Sequence, residues 1–244
     1  MTSHMSDRFQ LVFVDLRGGG RSTGDPADLT FDVLAEDLEA VRADLGAARI
    51  AVLGHSILGV LAIEYGRRRP GSVSHVIAVG APPEGDMATV AAKAAAFFEE
   101  DASENRKRTL RENLAKLPPD ATMGQTMYAQ TPMRFCDAEF DAVPLFVGAD
   151  VKPGLLQHVM GTLTPGWDVL AGAIVSVPIL IAHGRYDYVV PWMLWERVAP
   201  RITGATLEIF EKSGHQPFVE EPEAFATTVS DWMGRVGRAA VGAR

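Results

Sequence analysis

A single serine stands where a strand-like run of residues turns into a helix-like run, within IAVLGHSILGVLAIEYGRRRPG (50–71). Gly54 lies two residues before Ser56, and Gly59 lies three residues after it. A helix can pack closely against the strand that precedes it only where the facing side chains are small, and such a turn strains its central residue. The stretch therefore predicts a tight strand–turn–helix unit with Ser56 at its apex. That serine is either a nucleophile or an ordinary turn residue.

Strand-like and helix-like runs alternate around this unit. The strand-like runs are FQLVFVDLR (9–17), ARIAVLG (48–54), HVIAVGAP (75–82), VPILIAHG (177–184) and the start of TLEIFEKSGH (206–215). Apolar residues at helical spacing predict helices within 29–47, over 57–69 and from Pro222 onward. Because ARIAVLG is almost wholly apolar, we expect both of its faces to be covered. The alternation predicts an α/β fold with a mostly parallel sheet.

The alternation is interrupted after Pro82. Residues 88–100 and 103–117 predict helices, and a stretch with proline, glycine and aromatic residues follows without strand alternation. We therefore expect a core formed by residues 1–82 and 173–244, with a helical insertion at 83–172.

Composition restricts the class of protein. The 244 residues are 47% apolar, enough for a substantial core, and the net charge of -8 argues against a nucleic-acid partner. Cys136 is the only cysteine, so neither an intramolecular disulfide nor a cysteine-based metal cluster can form. The longest uncharged run, 50–63, contains His55 and Ser56 and is too short for a membrane span. With no signal-peptide pattern at the N-terminus, we expect a cytoplasmic protein without a membrane partner.

Two later segments supply the partners that a nucleophilic serine needs. A serine hydroxyl requires a base, and the base requires an orienting acid. Asp187 follows a predicted strand, and His215 lies in the loop after the next one. Alone, Asp187 could cap a turn and His215 could be a surface histidine. Together they favour a catalytic trio, whereas His183 and His55 are expected to be packing residues.

Four segments resemble the α/β-hydrolase superfamily, specifically its proline-iminopeptidase-like serine hydrolases. They are DLRGGGRS, GHSILG, GRYDYVVP and SGHQPFVEEPEAF, which resemble the family's strand-4 loop, nucleophile turn, acid loop and histidine loop. The resemblance extends from Phe9 onward and departs from the family where Leu58 replaces a usual glycine. It implies an α/β-hydrolase fold whose helical cap is 83–172. It also implies Ser56 as nucleophile, His215 as general base and then acid, and Asp187 as orienting acid, with no metal or organic cofactor.

The resemblance also bears on the oxyanion hole, the set of donors that stabilises a developing negative oxygen. In the family, one backbone N–H comes from the residue after the nucleophile, here Ile57, and a second comes from an early His-Gly-Gly-Pro-Gly loop. The start, MTSHMSDRFQLVFVD, leaves no room for that loop or the first strands. We therefore expect an N-terminally abbreviated fold: an incomplete gene product, a shortened chain, or a rearranged variant, such as a homo-oligomer in which another chain fills the open sheet positions.

The sequence thus predicts a serine hydrolase that cleaves a small carboxylic ester or amide through an acyl-enzyme. The alternative is a catalytically impaired relative that binds a ligand or a partner. The bond attacked stays open among an ester, a lactone, an N-terminal prolyl amide and a carbon–carbon bond. An iminopeptidase needs an acid to hold the substrate amine. Acids in the insertion that could serve, or that could simply face solvent, are Glu84, Asp86, Glu139, Asp141 and Asp150.

Overall fold

The computed structural model describes residues 2–146 and 152–242. Within these ranges, four strands form one sheet: Ile50–His55 (β1), Val73–Val79 (β2), Ile179–Gly184 (β3) and Ala205–Phe210 (β4). They lie side by side in the order β1–β2–β3–β4, and every neighbouring pair is parallel. The predicted α/β class with a parallel sheet flanked by helices is confirmed.

Helices precede, connect and follow the strands. They are Thr2–Ser6 (α1), Phe31–Asp44 (α2), Ile57–Arg68 (α3), Met87–Asp101 (α4), Glu104–Ala115 (α5), Met123–Ala129 (α6), Thr131–Arg134 (α7), Val143–Phe146 (α8), Pro153–His158 (α9), Pro217–Glu220 (α10) and Pro222–Gly242 (α11). Helices α2, α4 and α5 begin where side chains of Thr30, Asp86 and Ser103 accept N–H groups of the first turn. These caps explain why the predicted starts are accurate to within about two residues.

Strand β3 lies at the centre of the core, and all six of its residues are buried. Ile179 and Ile181 pack on one face of the sheet in a cluster with residues of α3, whereas Leu180 and Ala182 pack on the other with Phe225 and others of α11. Successive side chains of a strand point to opposite faces, so a continuous apolar run is what burial on both faces requires.

Residues 9–17 do not form the strand that their composition predicts. Residues 10–16 lie in irregular backbone, and the Phe13 side chain is 67% exposed. β1 is the edge strand of the described sheet. The expectation that both of its faces are covered is also wrong, because Ala51 and Leu53 are exposed. A cavity of about 570 Å³ is lined by residues 12–17, residues 21–23 and α2. High strand propensity does not produce a strand where no neighbour supplies ladder hydrogen bonds.

The helical segment between β2 and β3 is tied to the core through a buried carboxylate on α3. Glu64 is 2% exposed, and it accepts hydrogen bonds from Trp167 Nε1 (2.8 Å) and from Arg67 (2.5 Å). Arg67 also donates to the Val169 carbonyl at 2.7 Å. The division into a core (1–82 and 173–244) and a cap (83–172) stays a prediction. No helix in the described ranges is long and apolar enough to cross a membrane.

We predict that Phe13→Ser changes the free energy of unfolding by no more than about 0.5 kcal/mol, because the side chain is exposed. Leu180→Ala, at a fully buried position of β3, is expected to lower it by about 2–5 kcal/mol. Equilibrium urea unfolding of both variants measures the difference. A loss at Phe13 as large as that at Leu180 would mean that residues 9–17 are buried after all.

Candidate active site

The turn after β1 holds Ser56 in a strained backbone conformation. Its φ of 56° makes it the only non-glycine residue of the described ranges with a positive φ. The Ser56 N–H donates to the Val79 carbonyl at 2.8 Å, so the end of β2 fixes the turn. Left-handed backbone at a residue other than glycine costs about 1–3 kcal/mol and is concentrated at functional sites.

The two glycines flanking the turn are required by close packing. A Cβ placed on Gly54 would lie 2.2 Å from the Leu58 carbonyl oxygen, and one on Gly59 would lie 2.4 Å from the Ala81 Cβ. Any side chain would therefore push α3 away from the sheet. Leu58, which stands where the family usually has glycine, contributes its backbone to this contact, but the residue is 44% exposed. The helix–strand approach tolerates it for that reason.

Asp187 and His215 form a buried pair at the carboxyl ends of β3 and β4. Asp187 Oδ2 lies 2.8 Å from His215 Nδ1, and the two residues are 0% and 1% exposed. The other carboxylate oxygen accepts the N–H groups of Val189 (2.9 Å) and Val190 (2.8 Å). Burial alone would raise the pKa of Asp187, but His215 and the Val190 N–H hold that pKa below its ordinary value. The carboxylate is therefore an ionised acceptor for the ring.

Ser56 and His215 line the same cavity, which has a volume of about 330 Å³. No hydrogen bond joins their side chains: His215 Nε2, the ring nitrogen not paired with Asp187, is buried without a partner in the described part of the chain. Gly80 sets the position of the ring: its φ is +55°, and a Cβ there would lie 2.8 Å from His215 Nδ1. The structure thus joins Asp187 to His215 and brings Ser56 to the same cavity.

Two further histidines surround the pair. The ring Nε2 of His55 lies 2.9 Å from the His215 carbonyl oxygen, and His183 Nδ1 lies 3.8 Å from Asp187 Oδ2. Burial, together with the nearby His215, lowers the pKa of His55 to about 3, and burial lowers that of His183 to about 4. Both rings are therefore neutral at pH 7. The described ranges contain no group of three or more His, Cys, Asp or Glu residues arranged to hold a metal ion.

The cavity is mostly apolar and contains two basic residues. Its apolar lining includes Ile57, Leu58, Met127, Phe146, Leu155 and Leu156. Arg134 and Lys152 add positive charge, and Gly19 and Gly20 lie on the same cavity. Ile57 is the first residue of α3, so its N–H has no acceptor within the helix. That N–H is available to a ligand oxygen.

None of the acids named for the insertion lines the cavity in the described residues. Glu84 pairs with Lys93 at 2.8 Å, Asp86 caps α4, and Asp141 accepts the Val143 N–H at 3.2 Å. Glu139 is exposed at the surface. Asp150 lies outside the described residues.

Two neighbouring acids, which sequence reasoning did not assign, position the histidine loop. Glu220 accepts the Gly214 N–H at 2.7 Å and the Cys136 N–H at 2.6 Å. Glu221 accepts the Ser213 hydroxyl at 2.6 Å. The adjacent acids in SGHQPFVEEPEAF were the available signal, but the hydrogen bond from Cys136 comes from a distant segment that no local pattern identifies. Burial raises the pKa of Glu220 to about 7 despite its two N–H donors.

Arg134 is another site residue that sequence reasoning missed. Its carbonyl accepts the His215 N–H at 2.7 Å, so the end of α7 contacts the histidine loop directly. A Cβ on Gly214 would lie 2.3 Å from that same carbonyl oxygen, which explains the glycine. No spacing rule connects residue 134 with residue 215, so only the fold could place them together.

Comparison with known proteins adds an independent finding. A sequence model described as alpha/beta hydrolase fold matches residues 1–222. The chain is 31% identical over 242 residues to the AB hydrolase superfamily protein YclE of Bacillus subtilis, covering 95% of this chain and 86% of that protein. It is 30% identical over 230 residues to the pimeloyl-(acyl-carrier protein) methyl ester esterase of Cronobacter sakazakii, covering 92% of this chain and 83% of that protein.

A solved structure agrees with the sequence comparisons. An alpha/beta fold family hydrolase from Bacillus anthracis str. Sterne superposes with a TM-score of 0.67 at 25% identity, covering 89% of this chain and 80% of that chain. These similarities confirm the predicted superfamily and fold. The roles of Ser56, Asp187, His215 and Ile57, like the iminopeptidase-like specificity, stay predictions.

We predict that Glu220 makes stability pH-dependent. Its folded pKa of about 7 lies above the ordinary value of 4.5, so its favourable contribution is complete below pH 4.5 and is lost as the pH rises through 7. The free energy of unfolding of the natural protein, minus that of Glu220→Gln, should fall by up to about 3 kcal/mol between pH 4.5 and 8.

Urea unfolding across that pH range measures this difference. Glu223→Gln, which removes an exposed carboxylate from α11, is the matched control and should show little pH dependence relative to the natural protein. If the free energies of unfolding of the natural protein and of Glu220→Gln change with pH in parallel, the raised pKa of Glu220 is contradicted.

Proposed function

Because the chain belongs to the α/β-hydrolase fold family, we propose that it is a serine hydrolase that cleaves a small carboxylic ester through a covalent acyl-enzyme. One observation carries the proposal: His215, which is paired with the buried Asp187, lines the same cavity as the strained Ser56 turn. A hydroxyl and an imidazole on one cavity, with an ionised acid buried behind the imidazole, are the parts that acyl transfer requires.

The hydrogen bond to Asp187 determines the tautomer of His215. Because Nδ1 carries the proton donated to the carboxylate, the neutral ring has its lone pair on Nε2. That nitrogen has no partner in the described residues, so it is free to accept the Ser56 proton. Hydrogen bonds of this kind are often long before substrate binds.

The reaction then proceeds in two halves. Ser56 Oγ attacks the ester carbonyl while its proton passes to His215 Nε2, and the tetrahedral intermediate collapses as the carbon–oxygen bond to the leaving alcohol breaks. His215 returns the proton to that alcohol. Water then attacks the acyl-enzyme and gives one proton to His215. The bond between the acyl carbon and Ser56 Oγ breaks, His215 returns that proton to Oγ, and the carboxylic acid is released.

Ile57 is the residue we assign to oxyanion stabilisation. Its N–H begins α3, and the partial positive charge of a helix N-terminus favours a developing negative oxygen. Removing one such donor from a hydrolase costs about 10²–10³-fold in rate. Because the donor is backbone, its position depends on the same turn that holds Ser56.

An ester fits the cavity better than an N-terminal prolyl amide. An iminopeptidase must hold the positive amine of its substrate with an acid. The described lining of the cavity contains the bases Arg134 and Lys152 and no Asp or Glu. The positive charge of Arg134 would repel an ammonium group.

We predict that a fluorophosphonate probe adds one adduct to the natural protein, because it reacts with an activated serine. Ser56→Ala should lose the adduct, and Ser22→Ala, which removes a hydroxyl outside this cavity, should retain it. Intact-protein mass spectrometry measures both. The natural protein should hydrolyse a short-chain nitrophenyl ester, and Ser56→Ala should lose this activity together with the adduct. Neither protein should cleave a prolyl anilide.

The opposite result would favour the alternative function. A folded natural protein without an adduct and without ester turnover above the uncatalysed rate would overturn the hydrolase proposal. It would favour a protein that keeps the turn and the cavity only to bind a ligand.

We also predict that Gly80→Ala lowers kcat by at least about tenfold, because the added methyl group would displace the His215 ring. Gly46→Ala is the matched control. It also places alanine at a positive φ (+63°), but a Cβ there meets nothing within 4 Å. Both variants should lose about 1 kcal/mol of stability or somewhat more. Equal kcat values in the two variants would show that the position of the His215 ring set by Gly80 does not affect the rate.

A further inference from the structure

In the described part of the chain, the half-buried Arg134 of the site cavity lacks the ion-pair partner that a charge removed from water normally has. Arg134 Nη2 donates to the neutral Gln130 Oε1 at 2.9 Å, and Arg134 Nε is buried without a hydrogen-bond partner. In residues 2–146 and 152–242, no carboxylate forms an ion pair with this guanidinium. Buried charges in proteins are usually paired, because removal from water is costly.

Two other arginines have more acceptors than Arg134, although Arg67 Nε, like Arg134 Nε, is buried without a hydrogen-bond partner in the described residues. Arg67 has the Glu64 carboxylate and the Val169 carbonyl as acceptors. Arg106 donates to the carbonyls of Pro132 (2.6 Å) and Phe135 (2.8 Å), and also to that of Cys136. These two side chains hold the fold together and face acceptors from this chain. Arg134 instead faces the cavity that Ser56 and His215 line.

We infer that Arg134 binds a carboxylate on the substrate, so that the enzyme prefers esters that carry a negative charge. This inference rests on the proposed function and deepens it. The described lining also includes the polar residues His55, Ser56, His215 and Gln216, but its only Lys or Arg residues are Arg134 and Lys152. One guanidinium matches one carboxylate in charge and geometry.

The position of Arg134 favours recognition next to the reacting bond. Its carbonyl is hydrogen-bonded to the His215 N–H at 2.7 Å, so the residue that binds the anion moves with the general base. The net charge of the whole chain, -8, opposes the approach of an anion. A preference for anionic esters must therefore come from local charge in the cavity.

The experiment compares esters matched in length. Monoethyl succinate, glutarate and adipate are hydrolysed in a pH-stat beside ethyl butyrate, valerate and hexanoate, and 4-carboxyphenyl butyrate beside 4-carbamoylphenyl butyrate. The first set places the carboxylate on the acyl side, and the second places it on the leaving group. For at least one set, kcat/KM should be about 10- to 100-fold higher for the anionic member, as a charge-assisted hydrogen bond provides.

Variants then test whether the ratio of anionic to neutral kcat/KM depends on Arg134. Arg134→Met should bring the ratio of anionic to neutral kcat/KM close to one, mainly through a higher KM for the anionic ester, and Arg134→Lys should restore part of it. Arg111→Met removes an exposed positive charge from α5 outside the cavity and should leave the ratio as it is. Should Arg134→Met not fold, competitive inhibition of the natural protein by glutarate, but not by valeramide, tests the same contact.

The outcomes separate this inference from the proposed function. Ester hydrolysis that depends on Ser56 but shows a ratio near one in both sets would overturn the carboxylate site and leave the hydrolase standing. Inhibition by inorganic phosphate as strong as that by glutarate would overturn the assignment to a carboxylate. Hydrolysis unaffected by Ser56→Ala would overturn the proposed function itself.

Discussion

The close crossing of β1 and α3 is the constraint on which the rest of the site depends. Gly54 and Gly59 allow the crossing because neither position has room for a Cβ. The crossing leaves Ser56 at a φ of 56°, and the hydrogen bond from its N–H to Val79 ties that strain to the centre of the sheet. The packing of the sheet offsets this strain of about 1–3 kcal/mol. The Ser56 hydroxyl is thereby fixed at the carboxyl ends of the strands, where the other site residues lie.

The rest of the site is positioned by carboxylates rather than by apolar packing alone. Asp187 orients the His215 ring, Glu221 holds Ser213, and Glu220 joins Gly214 to the backbone of Cys136. Each carboxylate accepts hydrogen bonds from loop residues, and loops bury too little apolar area to be held by packing alone. Through Glu220, the histidine loop and the segment after α7 are held together, which also places Arg134 at the cavity.

The order and kinds of elements were predictable because local patterns carry them. Apolar spacing located α2, α4 and α5, and continuous apolar runs located β2 and β3. The run at 9–17 failed for a definite reason: strand propensity describes how a side chain fits a sheet, whereas a strand also needs a neighbouring ladder. The burial of both faces predicted for β1 failed in the same way, because its outer edge and part of its surface are not covered by described residues.

The sequence by itself determined the turn at Ser56, the chain order of Ser56, Asp187 and His215, and the apolar runs that become a parallel sheet, because these depend on residue type and short-range spacing. Only the tertiary structure decided that Arg134 and Glu220 belong to the same site, that Gly80 must leave room for an imidazole, and that residues 10–16 stay outside the sheet. These facts depend on contacts between segments far apart in the chain. Such contacts are selected by the free energy of the whole packed molecule, which no local pattern expresses.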